Sequence, residues 1–180
     1  MIQLTTSSAR ETREVAAKIA ALVEQGDLVL LVGELGAGKT TFAQGFGVAL
    51  GVTEPITSPT FTLAREYDGQ GLTMHHLDVY RLEQFDEVLD LALPELLDSP
   101  AVTLIEWGDA IIPALPGEYL EVRLEYGEDD DERVIGVRTV GRRWLRRDDA
   151  LKRTLDVEGG LSPDKGTREG GLSPDKGTPG

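Results

Sequence analysis

The pattern of apolar and polar positions over the first fifty residues predicts a helix, a buried strand and a second helix. Ser8 and Glu11 have the spacing of a capping box, and the apolar side chains that follow recur at helical spacing to about Glu24. The aliphatic run 27–32 predicts a buried strand of the parallel type. A second helical pattern covers 39–50 and is closed by a glycine. This order is typical of an α/β domain.

The next segment predicts a loop followed by a hairpin. Residues 52–60 are rich in Thr, Ser and Pro, which favours a loop. Residues 61–67 and 72–78 have the composition of strands, and the glycine-containing segment 68–71 between them is a hairpin signal.

The second half of the chain continues the alternation of helices and strands. A helix is predicted over 82–97, broken or restarted at its proline, and a buried strand over 102–105. Residues 118–126 and 133–140 alternate like a hairpin, and a last, basic helix is predicted over 142–155. The predicted fold is therefore an α/β layered domain with a largely parallel sheet plus antiparallel hairpins.

The end of the chain has a different character. Residues 158–167 recur as 169–178, and each copy holds several glycines, a proline and a single large apolar side chain. Such a unit cannot bury enough surface to offset the entropy of ordering it. We expect a folded domain over 1–155 and a disordered Gly/Pro-rich tail over 156–180; a short binding motif for a partner is the alternative for the tail.

Composition narrows the class of protein. The 180 residues include 18 Lys plus Arg and 32 Asp plus Glu, a formal net charge of −14, and no cysteine. Disulfides, zinc–thiolate sites, iron–sulfur clusters and cysteine nucleophiles are thereby excluded. The acidity argues against binding nucleic acid by charge alone. With no signal-peptide pattern and no apolar run long enough for a bilayer near the N-terminus, we expect a cytoplasmic protein without membrane contact.

One motif carries specific chemistry. Residues 33–40, Gly-Glu-Leu-Gly-Ala-Gly-Lys-Thr, match the Walker A phosphate loop G-x-x-x-x-G-K-[ST] in full, between a predicted strand and a predicted helix. Its glycines allow the backbone amides to surround phosphate groups at the positive end of the helix. Lys39 is expected to reach the terminal phosphates, and the Thr40 hydroxyl to hold Mg²⁺. A glycine-rich turn without a ligand is the weaker interpretation.

A nucleotide hydrolase also needs a second acid for the metal and a group that orients water. Glu106 ends an apolar strand at the Walker B position, and Asp78 ends another strand. The alternative for each acid is a solvated loop carboxylate or a helix cap. Thr60 lies where phosphate-loop proteins sense the γ-phosphate, although a plain turn explains it almost as well.

Other conspicuous residues are less specific. Of the adjacent pair His75 and His76, at most one can face a nucleotide, because neighbouring strand residues point to opposite faces. Trp107 fits either the core or a contact with a base or partner. The acidic run 128–132 is interpreted as a solvated hairpin tip. The cluster 142–147, four arginines around Trp-Leu, is interpreted as a salt-bridged helix over a Trp–Leu anchor, with RNA or an acidic partner as the alternative.

Four segments together resemble the TsaE family. They are 33–41, then Ser-Pro-Thr-Phe-Thr-Leu at 58–63, then His-Leu-Asp-Val-Tyr-Arg-Leu at 76–82, and Ile-Glu-Trp at 105–107. Their order and spacing agree with the family over roughly residues 4–145, and no departure is found within the motifs.

The resemblance implies a bacterial, Mg²⁺-dependent ATPase with a P-loop NTPase-like fold. It is expected to support formation of threonylcarbamoyladenosine in tRNAs that read codons beginning with A. Its partners would be TsaB and TsaD, which transfer the threonylcarbamoyl group, and it would reach tRNA only through them. Hydrolysis would be weak alone and stimulated by the partners.

The resemblance also implies roles for individual residues. Asp78 would be the acid needed for hydrolysis, Thr60 would lie in a switch-like loop and Trp107 would flank the nucleotide. Thr40 and Glu106 would hold Mg²⁺. The residues expected to bind ATP are Gly33, Gly36, Ala37, Gly38, Lys39, Thr40, Thr41 and Trp107. Those expected to act in catalysis are Lys39, Thr60, Asp78 and Glu106.

Two other functions use the same phosphate loop. A small-molecule kinase needs an acceptor site and usually an arginine-bearing lid, and the dense arginine cluster lies far away at the C-terminus. A nucleotide-gated binding module with negligible turnover is the other alternative. A guanine-specific Asn-Lys-x-Asp segment is absent from the sequence.

Overall fold

The computed structural model describes residues 1–80 and 93–156. Its strands within these residues are β1 (Ile2–Thr6), β2 (Leu28–Val32), β3 (Ala64–Asp68), β4 (Thr73–Asp78), β5 (Val102–Glu106), β6 (Tyr119–Tyr126) and β7 (Arg133–Val140). Its helices are α1 (Ala9–Ala20), α2 (Lys39–Ala49), α3 (Leu93–Leu97), α4 (Arg142–Leu145), α5 (Asp148–Asp156) and a 3₁₀ helix over Gly108–Ala114.

The described strands form one sheet in the order β1-β7-β6-β2-β5-β4-β3. The central strands β6, β2, β5 and β4 are parallel, whereas β1, β7 and β3 pair antiparallel at the two sides. This is the α/β fold predicted, a parallel centre with antiparallel hairpins. The register pairs Leu31 and Asp78 with Glu106, so the ends of the three strands β2, β4 and β5 meet at one edge.

Helices cover both faces of the sheet. In β2, Val29 and Leu31 face the larger core, to which α1, α2, α4 and α5 contribute. Leu28 and Leu30 face a smaller core with α3 and the 3₁₀ helix. All five residues of β2 are buried, because a central parallel strand is covered on both faces. The strand that precedes the phosphate loop therefore lies buried at the centre of the sheet.

The first helix begins as predicted and ends earlier. Ser8 accepts a hydrogen bond from the Glu11 amide at 3.2 Å, and the Glu11 carboxylate accepts from the amide of Ser7 at 2.8 Å. The helix ends at Ala20 rather than near Glu24. Beyond Ala20 the chain turns, and the amide of Glu24 donates to a side chain, Asp27, instead of to a helical carbonyl.

Two other element predictions need correction. The strand predicted from residue 61 begins at Ala64, because the preceding residues form a turn in which the Leu63 amide donates to Pro59. The single helix predicted over 142–155 is wrong: α4 and α5 are separated by a turn where Arg147 donates to Trp144.

Two predictions lie wholly or partly outside the described residues. Of the helix predicted over 82–97, only Leu93–Leu97 is described, and it is helical. The tail from residue 157 onward lies outside the described residues. Across 1–80 and 93–156, each helix is too short or too polar to traverse a bilayer.

Candidate functional site

The loop between β2 and α2 has the backbone conformation that its glycines allow. Gly33, Gly36 and Gly38 have φ values of 151°, 79° and 104°, in the region that side chains disfavour. A Cβ atom on Gly33 would collide with the carbonyl oxygen of Leu124, and one on Gly36 would lie 2.6 Å from the Tyr126 hydroxyl. The loop thus packs closely against β6, and α2 begins immediately after it.

Lys39, the first residue of α2, extends back under this loop. Its side chain is buried, and Nζ donates to the carbonyl oxygens of Gly33 and Glu34 at 2.8 Å each. The ammonium also lies 3.7 Å from the centre of the Trp107 ring. Burial lowers the pKa of Lys39 below its usual 10.5, and the negative charges of Glu106, Asp78 and Asp109 oppose that shift.

Thr40 and Glu106 meet although 66 residues separate them. The Thr40 hydroxyl lies 3.1 and 3.2 Å from the two carboxylate oxygens of Glu106. One of these oxygens, Oε1, also accepts a hydrogen bond from Nε2 of His76 at 2.9 Å. Since a carboxylate only accepts, the proton is assigned to Nε2 of His76, and Nδ1 has no partner among the described residues. The buried histidine therefore orients the acid toward Thr40.

Asp78 lies directly across from Glu106 in the sheet and is held by three donors. One carboxylate oxygen accepts from the hydroxyls of Ser58 and Thr60 at 2.6 and 2.7 Å, and the other from the amide of Tyr80 at 3.0 Å. The loop carrying Ser58 and Thr60 is thereby attached to the end of β4.

Trp107 follows β5 with a φ of 62°, an uncommon conformation for a bulky residue. Its amide donates to Leu31 at 2.9 Å, and its ring lies 4.7 Å from that of Tyr80. The side chain is partly exposed and forms a wall beside Lys39. Both interpretations of Trp107 hold in part, because its ring lines the cleft and also packs against the smaller core.

These groups surround one cleft of about 520 Å³ at the carboxyl edge of the parallel strands. Its lining residues are Leu35, Gly36, Gly38, Lys39, Thr40, Thr41, Ser58, Thr60, Asp78, Tyr80, Glu106 and Trp107. Of the residues predicted for the site, Gly33 and Ala37 are the ones that do not line the cleft. Gly33 contributes its carbonyl to Lys39, and Ala37 is buried beneath the loop.

Some site residues were not predicted. Ser58 and Tyr80 line the cleft, and the buried His76 donates a hydrogen bond to Glu106. The signal for His76 was its position two residues before Asp78 on the same strand, because such residues share a face. His75 points to the other face and contacts Glu66 at 3.0 Å, so the expectation that at most one of the two histidines faces the site agrees with the structure.

The charged segments outside the cleft have mostly structural contacts. The acidic run at the β6–β7 turn is largely exposed, and no group of three or more metal-ligating side chains is found in the described residues. Arg143 and Arg147 bond the buried Asp27, and Trp144 is fully buried. Salt bridges are confirmed for Arg143 and Arg147, but not on a single helix: Arg143 lies in α4 and Arg147 in the turn before α5. Leu145 is 58% exposed, so the anchor is Trp144 alone, not a Trp–Leu pair.

Comparison with known proteins identifies the family. The sequence model of "Threonylcarbamoyl adenosine biosynthesis protein TsaE" matches residues 6–135. The chain belongs to the TsaE family. The matched part includes the phosphate loop, the loop of Thr60, Asp78 and Glu106, and ends before α4 and α5.

Individual TsaE proteins are similar over most of their length. The tRNA threonylcarbamoyladenosine biosynthesis protein TsaE of Bacillus subtilis is 43% identical over 139 residues, 77% of this chain and 86% of the relative. The TsaE protein of Streptomyces coelicolor is 42% identical over 142 residues, 76% of this chain and 95% of the relative. The crystal structure of YdiB from Bacillus subtilis superimposes with a TM-score of 0.73 at 36% identity, covering 84% of this chain and 94% of YdiB.

Proposed function

We propose that this TsaE protein binds and hydrolyses ATP with Mg²⁺ in the cytoplasm, in support of threonylcarbamoyladenosine formation in tRNA. The observation that carries the proposal is the convergence of Lys39, the Thr40–Glu106 pair and Asp78 in one cleft beneath the phosphate loop. Membership of the family, whose relatives are named for this biosynthesis, supports the biological role.

The cleft suits a triphosphate by charge and by shape. The Lys39 ammonium is buried and bonded to backbone carbonyls rather than to a carboxylate, so its positive charge is available to an anion. The glycines leave the loop without side chains that would fill the space over its amides. A buried cation beneath a glycine loop at a helix start is the arrangement that binds phosphate groups.

The Thr40 hydroxyl and the Glu106 carboxylate fit Mg²⁺, which prefers oxygen ligands and uses one or two carboxylates together with phosphates. They converge within 3.2 Å of each other. When bound, Mg²⁺ would neutralise part of the charge that develops on the phosphates. His76 holds Glu106 in place through its hydrogen bond, so the acid needs little reorganisation.

Asp78 is the group that orients the attacking water. A carboxylate has about four acceptor positions, and three donors occupy positions on Asp78. The remaining position can accept a hydrogen bond from water at the cleft. Because Ser58 and Thr60 bond the same carboxylate, movement of their loop alters its orientation, which provides a route by which partners stimulate hydrolysis.

The chain is proposed to act with TsaB and TsaD and to reach tRNA through them. Its net charge of −14 opposes direct contact with a phosphate backbone. The threonylcarbamoyl transfer is assigned to the partners, and this chain supplies nucleotide hydrolysis.

Reconstitution tests this function. The purified chain should release labelled γ-phosphate to water slowly alone and faster with TsaB and TsaD. Asp78→Asn should bind ATP and lose hydrolysis, whereas Lys39→Ala should lose binding. Asp68→Asn, a matched change at an exposed carboxylate on β3, should behave like the parent. Partners that neither bind nor stimulate the chain would refute the assignment, and transfer of label to a metabolite would point to a kinase.

A further inference from the structure

Tyr126 and Arg133 contact the outer side of the phosphate loop, away from the cleft. They are paired across the end of the β6–β7 hairpin. The Tyr126 hydroxyl donates to the carbonyl oxygen of Leu35 at 2.7 Å, and Nε of Arg133 donates to that of Ala37 at 3.2 Å. The Arg133 guanidinium lies 4.6 Å from the centre of the Tyr126 ring, so the two side chains support each other.

These bonds determine which way the next amides point. The described peptide bonds are all trans, and in a trans peptide the carbonyl and the following N–H point in opposite directions. Directing the Leu35 and Ala37 carbonyls outward therefore directs the amides of Gly36 and Gly38 to the other side, where both glycines line the cleft. The outer contacts set up the donors that a phosphate needs.

Arg133 is itself held by its own hairpin turn. The Arg133 guanidinium also donates to the carbonyls of Asp130 and Glu132 in its own hairpin turn at 2.8 and 2.7 Å. From the cleft side, the loop is held by the bonds from Lys39 to Gly33 and Glu34. An ammonium that turns to a phosphate weakens those two bonds, whereas the bonds from Tyr126 and Arg133 are unaffected.

We propose that Tyr126 and Arg133 are positioning residues that hold the phosphate loop in its phosphate-binding form. The proposal rests on the proposed function, because it concerns how the same loop binds a triphosphate. The pair acts on the triphosphate through the loop amides, without contacting the base of the nucleotide.

The experiment compares two ligands in the presence of Mg²⁺, ATP and inorganic tripolyphosphate, which lacks base and ribose. Tyr126→Phe and Arg133→Met should each lower the affinity for both ligands by the same factor. That factor should be about threefold to tenfold, the range for loss of one hydrogen bond. KM for ATP should rise by that factor while kcat stays the same, because Asp78 and Glu106 are untouched.

Two substitutions serve as matched controls. Tyr67→Phe removes a buried hydroxyl that has no hydrogen-bond partner among the described residues. Arg10→Met removes a positive charge from the surface of α1, where the side chain is 75% exposed. Both should leave the affinities for ATP and tripolyphosphate unchanged. Thermal unfolding of each variant verifies that it is folded at the assay temperature. Tyr126→Phe removes only the hydroxyl, because phenylalanine keeps the ring that packs on Arg133.

The possible outcomes distinguish failure of this proposal from failure of the proposed ATPase function. Loss of ATP affinity with unchanged tripolyphosphate affinity would overturn it and make the pair a base contact. Unchanged affinity for both ligands, or a fall in kcat at constant KM, would also overturn it. If the parent chain binds both ligands and Lys39→Ala binds neither, the phosphate site stands whatever the Tyr126 and Arg133 variants show. If the parent binds neither ligand, the proposed function itself fails.

Discussion

Lys39 carries its positive charge in a place that disfavours it. Burial lowers the pKa of its ammonium below 10.5, and three nearby acids offset part of that shift. In the unfolded chain the lysine has its ordinary pKa, so between the two values the unfolded state binds more protons. Stability therefore rises with pH across that window, and at neutral pH the buried charge costs stability that the proposed phosphate ligand would restore.

This placement predicts a pH dependence of nucleotide binding. As the pH rises from neutral toward 10.5, Lys39 loses its proton earlier than an exposed lysine, and ATP affinity should fall with it. Isothermal titration at a series of pH values measures the fall. In Lys39→Arg, whose guanidinium stays charged, the remaining affinity should be flat over the same range. A parent protein whose affinity is constant up to pH 10.5 would contradict the prediction.

At the scale of residues, a site residue could be predicted when its partners lie close to it in the sequence. Lys39 and Thr40 belong to a contiguous motif, so their roles could be predicted from the sequence. Ser58 and His76 are hydrogen-bonded to Asp78 and Glu106. The position of His76 two residues before Asp78 indicates a shared face, but no local pattern shows that it bonds Glu106, and none distinguishes Ser58 from an ordinary loop serine. Their roles arise from hydrogen bonds that span 20 and 30 residues.

At the scale of elements, the C-terminal helices pack on the larger core through Trp144, Leu151 and Leu155 and are also bonded to one buried acid. Asp27, whose side chain is wholly buried, accepts from Nε of Arg143 at 2.7 Å and from both terminal nitrogens of Arg147 at 2.6 and 2.7 Å. The hydrogen bond to Asp27 raises the pKa of Arg147. The contact joins α4 and the start of α5 to the turn before β2.

This contact predicts a large effect of one substitution. Asp27→Ala leaves two arginines facing a buried space. We expect the free energy of unfolding to fall by ~2–4 kcal/mol. This is somewhat below the range for a wholly buried pair, because Arg143 keeps some contact with water. Urea unfolding measures it. Glu14→Ala, which breaks an exposed pair with Arg10 on α1, should cost about 0.5 kcal/mol or less. Equal effects of the two substitutions would show that the Asp27 contact contributes little.

The elements themselves were largely predictable, and their ends were not. The strands of the β6–β7 hairpin agree with the pattern within one residue. Salt bridging of the arginine cluster 142–147 was predicted and holds for Arg143 and Arg147, but their partner Asp27 lies 116 and 120 residues away and could not be predicted. The turn that divides the predicted last helix lies between the buried Trp144 and Arg147, which bonds Asp27.

At the scale of the molecule, the net charge of −14 limits the partners that the chain can bind alone. We expect no retardation of tRNA by the free chain at ~0.15 M salt, because binding to a phosphate backbone depends on clustered cations and two of the four clustered arginines are bonded to Asp27. A mobility-shift titration measures this.

The remaining two arginines provide the control for that experiment. Arg142 and Arg146 are exposed. Retardation of tRNA that disappears in the double variant Arg142→Ala and Arg146→Ala would contradict indirect contact and assign RNA binding to this cluster. Retardation that persists in the double variant would place the RNA contact elsewhere on the chain.

The sequence by itself determined the phosphate loop, the alternation of helices and strands and the family, because each depends on residues that are close together in the chain or on motifs in a set order. Only the tertiary structure decided how distant residues meet. The Thr40–Glu106 contact spans 66 residues and the Tyr126–Leu35 contact spans 91. Both depend on strand order and register in the sheet, which follow from burying both faces of β2 at once rather than from any local pattern.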